Sequence, residues 1–274
     1  MLAGHFIWMA LLYILAGIYS GENPLEVVRH YGPAYLTAVG TMSSAATLAV
    51  ALQCASKAKP LRKDLVSFGI PLFANIHLCG SVLTEVFFCM AISKILYGSV
   101  PTPGTMVLFC LLLGIFAIGA PGVPGGTVMA SLGIITGILK FDSSGTALML
   151  TIFALQDSFG TACNVTGDGA LTLMLTAMQS AIILRSSSLM WNCKFGAKSG
   201  GYLRSDPLHC LLITGYQPDT NWMSEMPQAS KWLCGISVYF YLFLSASVSF
   251  YCFYMFLLFL YVFLFTGGSL FLLL

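Results

Sequence analysis

Charged side chains are scarce in this 274-residue sequence. Asp, Glu, Lys and Arg make up 8% of the chain, whereas soluble domains contain about 25%. Hydrophobic residues make up 58%, and the net charge of +2 is too small to indicate a nucleic-acid or strongly acidic partner. The composition therefore predicts an integral membrane protein and argues against a soluble domain.

Patterns typical of several other protein classes are also missing. The nine cysteines are scattered singly without a CxxC pair, which argues against a disulfide framework and against a zinc site. No Lys or Arg precedes the apolar start MLAGHFIWMALLYILAGIYS, so we interpret it as a membrane span rather than a secretory signal. No Ser/His/Asp or Cys/His set lies in a polar region, and the scattered glycines form no phosphate loop. We therefore do not expect an enzyme.

Two of the apolar regions are interrupted. Other apolar stretches that reach the ~20 residues needed to span a bilayer lie at about 2–20, 66–97, 146–184 and 232–274. Residues 31–52 instead have a small, hydroxylated centre, and 106–139 contain GAPGVPGG, in which Pro121 and Pro124 remove backbone donors. Non-helical backbone at bilayer depth must be buried in protein or line a polar cavity. Both regions are therefore predicted to be re-entrant hairpins.

The order of these elements repeats, because each predicted hairpin is followed by a helix with a polar centre. Interrupted segments at corresponding positions of two halves are typical of the binding site of a secondary transporter. Helix packing through small residues is an alternative that explains the glycines but not the buried acids. Lys57, Lys59, Arg62 and Lys63 follow the first hairpin, which indicates that this loop is cytoplasmic.

The last polar helix carries two acids inside the apolar stretch LQDSFGTACNVTGDGAL, residues 155–171. At ~100° and ~1.5 Å per residue, Asp157, Thr161, Asn164 and Asp168 fall on one stripe roughly 16 Å long. An ionised side chain at mid-bilayer costs at least ~2.5–3.5 kcal/mol on insertion scales. The stripe therefore predicts bound cations or hydrogen-bond donors, and a structural polar seam neutralised by protonation stays open.

A break is also predicted in the preceding helix, GIPLFANIHLCGSVLTEVF, residues 69–87. The centre of this stretch, where a membrane span is expected to be wholly hydrophobic, contains Pro71, Asn75, His77 and Gly80. Unwound backbone there would offer free carbonyl groups to a small cation. For His77 two interpretations stay open, a hydrogen-bonded core residue and a titrating group.

Four motifs in this order resemble the dicarboxylate/amino acid:cation symporter family, which includes glutamate and neutral amino acid transporters. They are SSAATL (43–48), PLFANIHLCGS (71–81), GAPGVPGG (119–126) and DSFGTACNVTGDG (157–169). The resemblance implies an all-α integral membrane fold, in which two re-entrant hairpins and two broken or polar helices form an inverted-repeat transport core that moves like an elevator. The implied boundaries of this core (1–184) are a span at 1–20, hairpin 1 at 24–56, a broken helix at 64–97, hairpin 2 at 104–140 and a polar helix at 145–184.

The resemblance also implies a role for individual residues. Asp157 takes the position that holds the substrate amino group, and Asn164 and the first hairpin tip meet its α-carboxylate. The second tip, residues 122–125, would form the extracellular gate. The implied substrate contacts are Ser43, Ser44, Ser81, Gly122, Val123, Pro124, Gly125, Asp157, Thr161 and Asn164.

Sodium ions are the cofactors that the resemblance implies, in two sets of ligands. The first sodium set is the Asp168 carboxylate with carbonyl groups at Phe73, His77 and Asn164. The second sodium set is formed by carbonyl groups around Asn75, Leu78, Ala117, Ile118 and Ala120. Hard oxygen ligands of this kind suit sodium.

Two departures from the family pattern refine the predicted function. Where acidic amino acid transporters carry an arginine, this chain has Gly160, and at an alternative position for that arginine it has Met42. We therefore predict a symporter of a small neutral amino acid such as serine, threonine or alanine, and a dicarboxylate or other carboxylate symporter is the alternative. The family motif NMDG reads His77-Leu78-Cys79-Gly80, which implies about two sodium ions, or a proton at His77 in place of a further ion.

The chain also differs from the family in extent. It begins at what resembles a late span, and the scaffold spans that hold oligomers together have no counterpart in it, so a family-type homo-oligomer is not expected. A truncated, non-transporting fragment is a further alternative. Residues 185–231 form an unassigned, predicted cytoplasmic segment, and 232–274 form an extra apolar span or an unrelated tail. The expected location is multi-pass in a cell membrane, a bacterial inner membrane in particular.

Overall fold

The computed structural model describes residues 1–196, with side chains for residues 1–180. Within this part the secondary structure is all helical and has no strand, which confirms the predicted all-α class. The helices are α1 (Leu2–Ser20), α2 (Leu25–Val28), α3 (Gly32–Thr41), α4 (Ser44–Lys57), α5 (Lys63–Ile76), α6 (Cys79–Leu96), α7 (Pro103–Ile118), α8 (Gly126–Ile138) and α9 (Ser143–Gly196). The predicted segment 185–231 lies outside the described residues after Gly196, and the predicted tail 232–274 lies wholly outside them.

Two described segments are long and apolar enough to cross a membrane, Leu2–Ser20 and Lys63–Leu96, each with a mean hydropathy of 1.7. In α1 the side chains of Trp8 and Leu12 are buried, whereas Ile14 and Ile18 are exposed. A helix that is apolar on its exposed side as well as its buried side is typical of a lipid-facing span.

The first helix pair, α3 and α4, is joined by Met42 and Ser43, which we call the first tip. Met42 ends α3 in the left-handed region, with φ 51°. Ser43 then caps α4, because its hydroxyl oxygen accepts a hydrogen bond of 3.1 Å from the N–H of Ala46. The two helices pack against each other along the resulting reversal.

The second helix pair, α7 and α8, is joined by residues 119–125, which we call the second tip. This connection contains Pro121 and Pro124, so the chain leaves the helix where the missing backbone donors predicted a break. Gly125 has φ 75° and is the N-cap residue that precedes α8. The helices α7 and α8 also pack against each other.

The break between α5 and α6 is short and consists of His77 and Leu78. It does not lie at Pro71, which is inside α5. The N–H of His77 still reaches the carbonyl of Phe73 at 2.8 Å, and the backbone then leaves the helical region at φ −102° and ψ 86°. The polar sequence around residue 77 therefore marks a two-residue interruption of one long apolar stretch.

One hydrophobic core packs the broken helix against α1, the second helix pair and α9. Trp8, Phe109, Leu113, Ile135 and Phe153 are among its fully buried side chains. This core holds the polar stripe of α9 beside both tips and the α5–α6 break.

Candidate functional site

The polar stripe of α9 lies inside the protein. Asp157, Thr161, Asn164 and Asp168 are each at most 4% exposed. Burying a carboxylate is costly unless it is paired, hydrogen-bonded or neutralised. The contacts of these side chains therefore decide what the stripe can bind.

A cavity with an empty volume of about 220 Å³, including its open mouth, lies between α9, the break and the two tips. Its lining residues are Met42, Ser44, Leu78, Ser81, Pro121, Gly122, Val123, Thr127, Asp157, Thr161 and Asn164. Asp157 is the one charged side chain in this lining. Among the predicted substrate contacts, Ser43, Pro124 and Gly125 do not line the cavity, although they belong to the two tips.

The Asp157 carboxylate lies close to the hydroxyl groups of Ser81 and Thr161 and to the backbone N–H of Gly125. Its Oδ2 lies 3.5 Å from the hydroxyl oxygen of Thr161, a long contact. Its Oδ1 has no hydrogen-bond partner among the described residues. A buried carboxylate that lines a cavity and has a free oxygen is well placed to accept hydrogen bonds from a cationic ligand group.

Asn164 connects α9 to the start of α6. Its Oδ1 accepts a hydrogen bond of 2.6 Å from the N–H of Gly80, one of the backbone donors that a helix N-terminus leaves unpaired. Its Nδ2 donates a hydrogen bond of 3.0 Å to the Ser81 hydroxyl oxygen. Because an amide NH₂ has two donors, one N–H of Asn164 is left for a ligand in the cavity.

Two glycines allow the backbones of α6 and α9 to touch. A Cβ on Gly80 would lie 2.3 Å from the carbonyl oxygen of Gly160, which no side chain can occupy. A Cβ on Gly160 would lie 3.0 Å from the Cα of Ser81 and 2.9 Å from the hydroxyl oxygen of Thr84. An arginine at position 160 therefore does not fit this packing without moving α6.

The two tips are in direct contact. The Ser43 hydroxyl donates a hydrogen bond of 2.7 Å to the carbonyl oxygen of Gly122, and the N–H of Ala45 donates to the same oxygen at 3.2 Å. Since Ser44 and Gly122 both line the cavity, this contact lies at its edge. The tips are thus joined by two hydrogen bonds rather than by interlocked side chains.

The residues of the first sodium set lie together around the α5–α6 break. Nδ1 of His77 lies 3.0 Å from Oδ1 of Asp168 and 3.2 Å from the carbonyl oxygen of Asn164. The carbonyl of Phe73 accepts the backbone N–H of His77. An imidazole nitrogen therefore sits between oxygens that were predicted to surround an ion.

The residues of the second sodium set differ in the burial of their side chains. Leu78, Ala117 and Ala120 are buried in the same core cluster. The side chain of Ile118 is 52% exposed, and Asn75 is exposed and donates to the carbonyl of Pro71 at 2.8 Å. All five positions lie in or beside the break or the second tip in the chain, and the exposure of their side chains does not decide whether their backbone carbonyls bind an ion.

Several buried polar residues were not predicted from the sequence. Glu85 of α6 is 0% exposed and accepts a hydrogen bond from the Ser131 hydroxyl of α8. Nε2 of His5 lies 3.0 Å from the carbonyl oxygen of Gly80 and 3.1 Å from the Thr84 hydroxyl oxygen. The argument that identified Asp157, an acid in an apolar helix, applies equally to Glu85 and would have found it.

Comparison with known proteins agrees with the motifs. The glt-4 protein of Caenorhabditis elegans, whose name describes a sodium-dependent excitatory amino acid transporter, is 31% identical over an alignment of 213 residues that covers 75% of this chain and 38% of that protein. Human excitatory amino acid transporter 2 is 28% identical over 162 residues, covering 59% of this chain and 27% of the relative. The serine/threonine transporter SstT of Bifidobacterium adolescentis is 30% identical over 176 residues, covering 61% of this chain and 40% of the relative.

The chain thus spans well under half the length of the curated relatives it matches. A family model matches residues 1–178, which include α1 to α8 and the polar stripe of α9. The chain therefore belongs to the sodium:dicarboxylate symporter family, whose members are membrane transporters and not enzymes.

Proposed function

We propose that this chain forms the transport core of a sodium-coupled symporter for a small neutral amino acid such as serine, threonine or alanine. One observation carries the proposal: Asp157 is the one charged side chain that lines the cavity. An ammonium group would pair with this carboxylate, whereas the second carboxylate of an acidic substrate would meet no cationic side chain in the lining. A buried charge without a partner costs several kcal/mol.

The cavity supplies partners for both ends of an amino acid. The free Oδ1 of Asp157 accepts from the ammonium group, with the Thr161 hydroxyl beside it. The spare N–H of Asn164 and Ser44, which follows the first tip, also line the cavity and are available to the α-carboxylate.

We further propose that both helix pairs are re-entrant hairpins and that residues 1–184 move as an elevator-type core in alternating access. Opening the second tip requires breaking its two hydrogen bonds to the first tip, those of Ser43 and Ala45 with Gly122. At ~0.5–1.5 kcal/mol net for each bond, the pair contributes about 1–3 kcal/mol. A contact of that strength opens readily by thermal motion and is closed by modest ligand binding energy.

Sodium coupling follows from the family, and we propose that the ions bind close to the α5–α6 break. Backbone carbonyls near Leu78 and Ala120 offer the hard oxygen ligands that sodium prefers. The site of action is a cell membrane, and a bacterial inner membrane stays the narrower prediction.

Uptake by the purified chain in proteoliposomes tests this function. We expect sodium-driven uptake of serine and alanine to exceed that of aspartate and succinate at least ~10-fold, which corresponds to about 1.4 kcal/mol. The control is the same vesicles with choline in place of sodium, in which uptake should be lost. Comparable succinate uptake would favour the carboxylate symporter, and the absence of any uptake would favour the non-transporting fragment.

A further inference from the structure

The His77 imidazole lies in the middle of the first sodium set. Its Nδ1 contacts the Asp168 carboxylate at 3.0 Å and the Asn164 carbonyl at 3.2 Å, and these are two of the oxygens that would hold the ion. A third, the Phe73 carbonyl, already accepts the backbone N–H of His77. One position between these oxygens cannot hold both a ring N–H and a metal ion.

The ring occupies a close-fitting space. A Cβ on residue 167 would lie 2.4 Å from Cε1 of His77, so the imidazole fits against α9 only because this residue is Gly167. The side chain of His77 is 2% exposed, and that of Asp168 is 1% exposed. The imidazole therefore has a defined place in the packing and is not a surface group that bends inward.

The contact does not depend on the charge of the histidine. Nδ1 carries a hydrogen in the protonated ring and in one neutral tautomer, and in both forms it donates to a carboxylate. The other carboxylate oxygen, Oδ2 of Asp168, has no hydrogen-bond partner among the described residues. A sodium ion beside Oδ2 would have to share the carbonyl oxygens of Phe73 and Asn164 with the N–H groups of His77.

We propose that the His77 imidazole replaces the sodium ion of the first set, so that the chain carries its own substitute for one transported ion. The second sodium set is then the remaining cation site, and the predicted number of sodium ions falls from about two to about one. This role of His77 in transport rests on the proposed function, because replacing a transported ion matters only if the chain transports sodium. The number of ions bound can nevertheless be measured without transport.

Equilibrium binding of radioactive sodium to the purified full chain tests the replacement. We expect His77→Asn, which restores the residue of the family motif, to bind about one more sodium ion per chain than the unchanged protein. Its thermal stability should also rise more steeply with sodium concentration, because each ion that binds the folded state adds to the slope. Equal numbers of bound ions in the two proteins would overturn the proposal.

His5→Asn is the matched control. It also removes a buried imidazole that contacts the broken helix, at Gly80, but His5 contacts none of the first sodium set. We expect the number of bound ions to stay the same. A gain of an ion in this variant would show that loosening the break, rather than vacating the position beside Asp168, creates the site, and would overturn the proposal.

Gly167→Ala tests the position of the His77 ring independently. The added methyl group should displace the ring, so the variant should lose thermal stability in the unchanged chain and lose much less in the His77→Asn background. Equal losses in both backgrounds would contradict this position of the ring.

The sodium-binding and uptake experiments distinguish the two proposals. Failure of amino acid uptake, together with the expected numbers of bound ions, would contradict the proposed function alone. Equal numbers of bound ions in the His77→Asn variant and the unchanged protein, together with normal uptake, would contradict the role of His77 alone.

Discussion

At the scale of single residues, Asp157 is the side chain that we propose to bind the ammonium group of the substrate. Removing one partner of a buried, hydrogen-bonded charge pair costs about 2–5 kcal/mol. Asp157→Asn keeps the shape of the side chain but removes its charge. We therefore expect serine binding to weaken at least ~30-fold, measured as the Kd from ligand-induced thermal stabilisation.

Asp142→Asn is the control for this prediction. Asp142 is an acid at the start of α9 that accepts hydrogen bonds from Tyr97 and Gly145 on the exposed surface. Serine binding should not change in this variant. An Asp157→Asn protein that binds serine as tightly as the unchanged chain would contradict the assignment of the ammonium position.

The sequence predicts which residues lie on the stripe better than it predicts their partners. Asp157, Asn164 and Asp168 follow from helical periodicity alone, because their spacing places them on one face whatever surrounds them. The contact of His77 with Asp168 depends on a rotamer and on the space left by Gly167, far away in the sequence. Such tertiary contacts have no local signal.

At the scale of elements, the two tips are close enough to be cross-linked. A Cβ added to Gly122 would lie 3.8 Å from the Cβ of Ala45, within the ~3.5–4.5 Å that a disulfide requires. We expect the double variant Ala45→Cys/Gly122→Cys to lose uptake on oxidation and to regain it on reduction, because the tips can no longer separate. Uptake in proteoliposomes before and after reduction measures this.

Each single cysteine variant is the control for the cross-link, and neither should respond to oxidation. Of the five described native cysteines, Cys54, Cys89, Cys110 and Cys163 are buried and Cys79 is partly buried, and the single variants would reveal any reaction with them. A cross-linked protein that transports at the unchanged rate would contradict the role of the tips as a gate.

The breaks between elements were predictable where backbone chemistry forces them. Pro121 and Pro124 end α7 and delay α8, as the loss of backbone donors requires. The break between α5 and α6 was predicted as a region, but its position was not, because Pro71 is accommodated inside α5 and the chain unwinds at His77. There the neighbouring α9 supplies Asn164 as a partner for the freed N–H of Gly80.

At the scale of the whole molecule, large apolar side chains cover much of the outside. Ile18 is 76% exposed and Leu155 is 71% exposed. Exposing apolar surface to water costs about 25 cal/mol of free energy per Å². In a bilayer these side chains would contact lipid. Leu155→Cys in membranes should therefore escape a water-soluble maleimide, whereas Asp142→Cys should react, as located by mass spectrometry of the labelled peptides.

Labelling in detergent-denatured protein is the control, since both cysteines should then react fully. Rapid labelling at position 155 in intact membranes would contradict a lipid-facing position for this side of α9.

The meeting of Gly80 with Gly160 constrains how the protein can malfunction. With no gap between the two backbones, α9, which carries Asp157, packs directly against the start of α6, which follows the break beside the predicted cation ligands. In the proposed transport cycle, a displacement that carries the amino acid would therefore carry the cation ligands with it. Slippage, in which one cargo crosses and the other is left behind, would therefore have to arise from incomplete loading and not from independent movement of the two helices.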